Sequence, residues 1–181
     1  MENKYVIGID FGTLSGRAVV VRVSDGEVLA SAVTEYAHGV MDKTLTAGDG
    51  QALPPEFALE VPADYIAVLA SAVPRAVKES GVDPKDVVAI GLDTTSASLV
   101  VTDEEGAPLC EKEEFKNNPH AYIKLWKHHG GQDQADRIVA LAKERNELLA
   151  WRRGGGGSKT GHSPRCWNCM RKPPRYTRQP K

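Results

Sequence analysis

The 181-residue sequence predicts an α/β fold in which a sheet begins with three antiparallel strands and gains a fourth through a crossover helix. Three observations carry this expectation. Short apolar runs separated by turn residues occupy the first 36 positions. Apolar residues recur at helical spacing from Tyr65 to Val77, and a nearly continuous apolar run, "VVAIGLD", follows at Val87–Asp93. With 41% hydrophobic residues the chain can bury the core of one globular domain, expected over residues 1–150, with a distinct tail at 151–181.

The first strand is "YVIGI", Tyr5 to Ile9, ending at Asp10; Gly12 to Gly16 then supply a turn into "RAVVVRV". Ser24, Asp25 and Gly26 form a hairpin signal before "EVLASAVTEY", whose alternation predicts a third strand. Residues 40–60, rich in Gly, Pro and Thr, read as a long connection. Pro62 suits a first helical turn and Gly81 a helix end, and between them Tyr65, Ile66, Leu69, Val73 and Val77 predict one helix, bent at Pro74. "VVAIGLD" has the composition of a strand buried on both faces. "SASLVVTDEEGAPL" predicts a further strand and turn, and two closing helices are expected at His120–His129 and Gln132–Leu149, the latter with Ile138, Leu141 and Leu148 on one side.

The net charge of −1 conceals an asymmetry, since residues 151–181 hold nine of the 23 Lys and Arg and no acidic residue. Residues 1–150 therefore carry 14 basic against 24 acidic groups, and that acidic body argues against a nucleic-acid surface. No apolar run approaches the roughly 18 residues of a membrane span, and "MENKYVIGIDFG" lacks the pattern of a secretory signal, so a cytoplasmic location is expected. Cys110, Cys166 and Cys169 are too few and too unevenly placed for a disulfide framework.

The turn after the first strand carries the clearest chemistry. An Asp at the end of a buried strand, followed at once by small and hydroxylated residues, suits a magnesium nucleotide. Gly12 permits close backbone approach to an anion, and amides in such a turn can face phosphate oxygens. Thr13 and Ser15 add hydroxyl donors, Arg17 a charge-assisted contact, and Asp10 a ligand for Mg²⁺, direct or through water. The plain alternative is a hairpin whose Asp caps its own turn.

"IGIDFGTLSGRAVVV" together with "IGLDTTSAS" about 80 residues later resembles the FGGY carbohydrate kinases, of the actin, Hsp70 and hexokinase superfamily. The resemblance continues through "ALPPEFALEVPADYIAVLASAVPRAVKESGVDPKDVVAIGLD" and "NNPHAYIKLWKHHGGQDQADRIVALAKER", and points to the branch acting on L-ribulose. It implies a ribonuclease-H-like domain and transfer of the ATP γ-phosphoryl group to a ketopentose, giving L-ribulose 5-phosphate, with Mg²⁺ as cofactor. By the same resemblance, Asp10, Gly12, Thr13, Ser15 and Arg17 serve the nucleotide phosphates and metal. Asp93, Thr95, Ser96 and Ala97 line the sugar cleft, near Trp126 and Lys127. That last pair also suits a helix surface packed on the sheet. Family members are several times longer, form two such domains and are in cases homodimeric. Their catalytic Asp lies beyond position 181, so this chain is expected to be an N-terminal fragment, inactive alone.

His120, His128 and His129 could suggest metal ligands, but adjacent helical residues diverge by about 100 degrees, so packing or capping is expected. In the tail, His162, Cys166 and Cys169 offer three zinc ligands where a structural site wants four. Read one nucleotide out of register, the codons from about Thr160 permit a Trp, then Pro-Lys-Val-Leu-Glu-Leu-Tyr-Glu-Glu-Ala-Pro-Glu-Val-Tyr. That string is acidic and amphipathic like the body. A frameshift between about Ala150 and Ser158 is therefore expected, leaving a disordered basic tail. Two rival functions remain: a ribonuclease-H-like nuclease using Asp10 and Asp93, and a noncatalytic nucleotide- or sugar-binding module.

Overall fold

The computed structural model describes residues 4–146. The expected tail at 151–181, Leu148 and Leu149 lie outside the described residues. In chain order the elements are β1 (Tyr5–Phe11), β2 (Ser15–Arg22), β3 (Val28–Glu35), β4 (Leu59–Glu60), α1 (Pro62–Ser80), β5 (Val87–Thr94), β6 (Ile123–Lys124) and α2 (Gln132–Glu144). The described residues divide into two compact units, 4–39 with 63–95, and 40–62 with 96–146.

The first unit is a four-stranded sheet in the order β3-β2-β1-β5, antiparallel throughout the first three strands and parallel between β1 and β5. Alternation sorts its side chains: Ile7, Ile9 and Phe11 of β1 join Ala18, Val20 and Ala32 in a buried layer. Onto this layer α1 lays Val68, Ala72 and Ala76, spaced four apart on one face. Of the stripe the sequence predicts, Tyr65, Val73 and Val77 pack against this layer, whereas Ile66 is 63% and Leu69 38% exposed. The alanines win the inner face because they let the helix approach closely. Gly16 marks the tightest point, where an added Cβ would sit 2.4 Å from Val68 Cγ1.

Pro74 lies within α1, and Gly81, with φ +68, ends it as expected. In its first turn, buried Asp64 accepts from the His38 amide (3.1 Å) and lies 2.9 Å from His38 Nδ1.

β5 departs most from expectation. Its composition predicts burial on both faces, yet Val88, Ile90 and Leu92 are 58%, 58% and 66% exposed. The reason is position: among the described residues β5 is the sheet edge, and only Val87 at its start packs against the layer under α1.

The second unit contains β4 paired antiparallel with β6, isolated bridges at Met41–Leu59, Thr44–Ala52, Leu99–Lys124 and Thr102–Pro108, and α2. The supposed loop at 40–60 is thus woven into a core of Met41, Leu45, Leu59, Phe115 and Tyr122. The helix expected at His120–His129 is absent: a short 3₁₀ turn, Pro119–Ala121, leads into β6 and then a turn. Residues 120–125 are all buried, which no one-sided surface helix permits. Their backbone is instead satisfied laterally, Lys124 N donating to Leu99 O, Leu99 N to Lys124 O, and Leu125 N to Ala58 O. The strand expected in "SASLVVTDEEGAPL" is reduced to the bridges at Leu99 and Thr102 around a turn capped by Asp103. In α2 the inward residues are Ala135 and Ala142, whereas Leu141 is 44% exposed.

Burial holds two acids of this unit neutral. The Cys110 thiol is pushed up to about 11, chiefly by desolvation and then by neighbouring Glu111. The Tyr122 hydroxyl, which donates to Lys116 O at 2.7 Å, is pushed up to about 12 by desolvation and then by Cys110. As pH rises, the unfolded chain ionises first, so the folded state binds more protons and stability falls. The urea midpoint should therefore drop between about pH 9 and pH 12, with a shallower drop in Cys110→Ala. An equal slope in both proteins would contradict this.

Candidate functional site

The sheet face opposite α1 collects charge at one level. In the strand register Asp10 of β1 lies beside Arg17 of β2 on one side and Asp93 of β5 on the other. Neighbouring strands are about 4.8 Å apart, so the three side chains form one short row, and all three are exposed. The row borders a shallow cavity of about 250 Å³ lined by Gly8, Ile9, Asp10, Arg17, Val19, Gly91 and Asp93. Gly8 and Gly91 are register partners, so the floor beside the carboxylates is bare backbone. Asp93 Oδ1 accepts from Thr94 N at 2.9 Å, a strand-end contact. Among the described residues no three His, Cys, Asp or Glu side chains gather to hold a metal. A cation here would rest on Asp10, with Asp93 alongside, and draw its remaining ligands from phosphates and water, as Mg²⁺ commonly does.

The turn from β1 to β2 stands next to this row. Gly12 N donates to Ser15 O at 3.0 Å, closing the turn over Thr13 and Leu14. An added Cβ at Gly12 would lie 3.1 Å from Ser15 O, so the residue serves the tightness of the turn, and its amide is already engaged. Leu14 is 62% exposed at the tip, and Thr13 and Ser15 are half-buried.

Thr95 closes the first unit by donating both N and Oγ1 to Phe11 O, each at 3.0 Å. Its hydroxyl therefore ties β5 to β1 instead of standing open. Ser96 and Ala97 belong to the second unit, where they form a turn with Ala97 at φ +61. A left-handed alanine costs about 1–2 kcal/mol, a local strain of the kind found at functional turns. Trp126, 46% exposed, and half-buried Lys127 also belong to the second unit, in the turn after β6 and not on a helix.

The histidines pack. Phe57 sits edge-on to His120 (5.7 Å) and to His128 (4.5 Å), and His128 Nδ1 accepts from Ala58 N at 3.1 Å. His129 Nδ1 lies 3.2 Å from Glu56 Oε2.

Sequence reasoning missed Tyr36. Its amide donates to Leu14 O (2.9 Å) and its hydroxyl to Gly12 O (3.0 Å), so it grips the turn from behind. A lone aromatic after a strand gives no hint of that contact.

No family model matches the chain. It is 54% identical over 152 residues to a ribulokinase of Mycolicibacterium smegmatis, covering 84% of this chain and 27% of that protein. With a ribulokinase of Geobacillus thermodenitrificans it shares 45% over 174 residues, covering 96% of this chain and 30% of the relative. Over most of its length the chain is similar to ribulokinases. It spans about 30% of the length of the ribulokinases it matches. Solved sugar kinases share the fold at low identity. A xyloylose kinase from Brucella ovis has TM-score 0.65 at 17% identity, covering 93% of this chain and 29% of that one. A xylulose kinase from Rhodospirillum rubrum has 0.54 at 20%, covering 76% and 23%. The ribonuclease-H-like reading of the first unit, three antiparallel strands, a crossover helix and a parallel fourth strand, therefore holds. Among the described residues no helix is long and apolar enough to cross a membrane.

Proposed function

We propose that this chain supplies the phosphate-binding turn and part of the sugar cleft of an ATP-dependent kinase that converts L-ribulose to L-ribulose 5-phosphate. The activity belongs to a protein of the ribulokinases' full length, and residues 1–150 form the opening part of it. The row Arg17–Asp10–Asp93 beside a tight turn supports this reading most directly. A triphosphate needs cationic and amide donors at one end and a carboxylate to hold its metal. Arg17 offers the guanidinium, Thr13 and Ser15 their hydroxyls, and Asp10 the carboxylate. When bound, Mg²⁺ spreads charge across the β- and γ-phosphate oxygens.

In the transfer itself, a ribulose hydroxyl oxygen forms the new bond to phosphorus as the bond to the ADP oxygen breaks. Asp93, Thr95, Ser96 and Ala97, with Trp126 and Lys127, are assigned to orienting the sugar. The base that accepts the hydroxyl proton is assigned to the remainder of the full-length enzyme.

Titrating the chain with Mg-ATP while following backbone amide shifts tests the reading, with shifts expected at residues 10–17. Removing one charge-assisted contact costs about 1.5–3 kcal/mol, so Arg17→Ala should weaken binding by about ten- to a hundredfold. Asp10→Asn should abolish the advantage of Mg-ATP over metal-free ATP. Unchanged affinity in both variants would defeat the assignment.

The adjacent carboxylates Asp10 and Asp93 give the nuclease reading one point in its favour, since paired acids on a sheet can hold catalytic metals. The acidic body, with 14 basic against 24 acidic residues over 1–150, disfavours a nucleic-acid substrate. Mg²⁺-dependent cleavage of branched DNA by the chain would establish that reading instead.

A further inference from the structure

We infer that Tyr36 is a positioning residue for the phosphate turn, an inference that rests on reading residues 12–15 as that turn. Tyr36 follows β3 and meets the turn twice, through its amide on Leu14 O (2.9 Å) and its hydroxyl on Gly12 O (3.0 Å). A trans peptide is planar, with its C=O and N–H pointing in opposite directions. Holding the Gly12 carbonyl toward Tyr36 therefore turns the Thr13 N–H away from it. Holding the Leu14 carbonyl does the same for the Ser15 N–H. One residue thus fixes two peptide planes whose donors flank the tip of the turn.

The hydroxyl is itself fixed. The Tyr36 ring is 6% exposed and stacks on Tyr65 of α1, with centroids 5.0 Å apart and planes 27° from parallel. Tyr65 in turn lies 5.5 Å from Phe11, the last residue of β1. This aromatic series, Tyr36–Tyr65–Phe11, anchors the phenol to the helix and to the strand that leads into the turn. A donor array set before the ligand arrives avoids the cost of ordering it on binding. Tyr36 touches neither nucleotide nor metal in this scheme and acts only through the backbone it holds.

Tyr36→Phe keeps the stacked ring and deletes only the hydroxyl. Hydrogen exchange of individual amides in the full 181-residue chain reads the turn without any ligand, and Mg-ATP is the probe for binding. The Gly12 amide, protected by its bond to Ser15 O, should exchange about three- to tenfold faster in the variant, and Mg-ATP should bind about three- to tenfold more weakly. Amides of Ile7 and Val20, in the strand interiors, should exchange at the wild-type rate. Uniformly faster exchange throughout β1 and β2 would show an ordinary core residue and overturn the proposal. So would wild-type values for Gly12 exchange and Mg-ATP affinity. If the wild-type chain shows no Mg-ATP response at residues 10–17 while Gly12 exchange still quickens in the variant, the phosphate reading fails and the clasp on the turn stands. If wild type and Tyr36→Phe bind Mg-ATP equally, the phosphate reading stands and the positioning role fails.

Discussion

Gly16→Ala should destabilise the first unit by about 1–3 kcal/mol, the usual cost of forcing an extra methyl into a filled core. The built Cβ falls 2.4, 2.7 and 3.1 Å from three atoms of Val68, a side chain with no exposed surface. Val68 cannot swing aside, because it lies in the packed layer with Ile9, Ala18 and Ala72. The backbone at Gly16 has no positive φ, so alanine meets no conformational penalty there, and the whole effect is steric. Urea unfolding of Gly16→Ala, Val68→Ala and the double variant separates the possibilities. If the clash is the cause, the two changes should compensate, and the double variant should be more stable than the sum of the single losses predicts. Strict additivity would show that Gly16 matters for some other reason. Gly16 is the second residue of β2, so a helix pushed outward there would also disturb the turn that Tyr36 holds through Tyr65.

Much of the first unit can be read from local pattern. Alternation in "YVIGIDF" and "SGRAVVVR", the Asp25-Gly26 turn and the Pro62 and Gly81 boundaries are short-range signals, and each maps onto an element. Asp10, Arg17 and Asp93 are recognisable candidates because each sits at a strand end or beginning. Their alignment in one row depends on strand register, which the sequence does not print. The inward face of α1 is legible in part, since Tyr65, Val73 and Val77 pack on the core as their spacing predicts while Ile66 and Leu69 do not, for a physical reason. Large apolar residues attract attention, yet Ala72 and Ala76 take the core because only small side chains allow that approach. The second unit fails the local rules more broadly. "HAYIKLWKHH" mixes charge and aromatics at spacings that mimic a helix, while its partners Leu59 and Leu99 lie some 65 and 25 positions earlier in the chain. Such pairing is settled by tertiary contacts, and Lys124, fully buried with Nζ donating to His120 O, contradicts what a lysine ordinarily signals. Tyr36 was invisible for a related reason, since its role resides in one hydroxyl reaching a carbonyl 24 residues away.

The misfit between the composition of β5 and its surroundings leads to the second large effect. The native chain should bind an apolar dye such as anilinonaphthalene sulfonate strongly, and Ile90→Lys with Leu92→Lys should remove most of that signal. Ile90 and Leu92 are register partners of Ile7 and Ile9, so they share the apolar layer that α1 covers only in part. Beside them an open groove of about 880 Å³ runs between α1 and β5, lined by Ile7, Val73, Val77, Val82, Val87 and Ile90. Apolar surface of this extent is uncommon on proteins that remain dispersed, and a strand edge unpaired among the described residues adds backbone donors and acceptors to it. Because both side chains are more than half exposed, their replacement should change stability by no more than about 0.5 kcal/mol. Dye binding and the concentration at which the chain associates should therefore shift while the unfolding midpoint stays in place. Should the double variant unfold at markedly lower urea, these residues are buried in solution, and the covering they have there must come from another copy of the chain or from its own remaining residues.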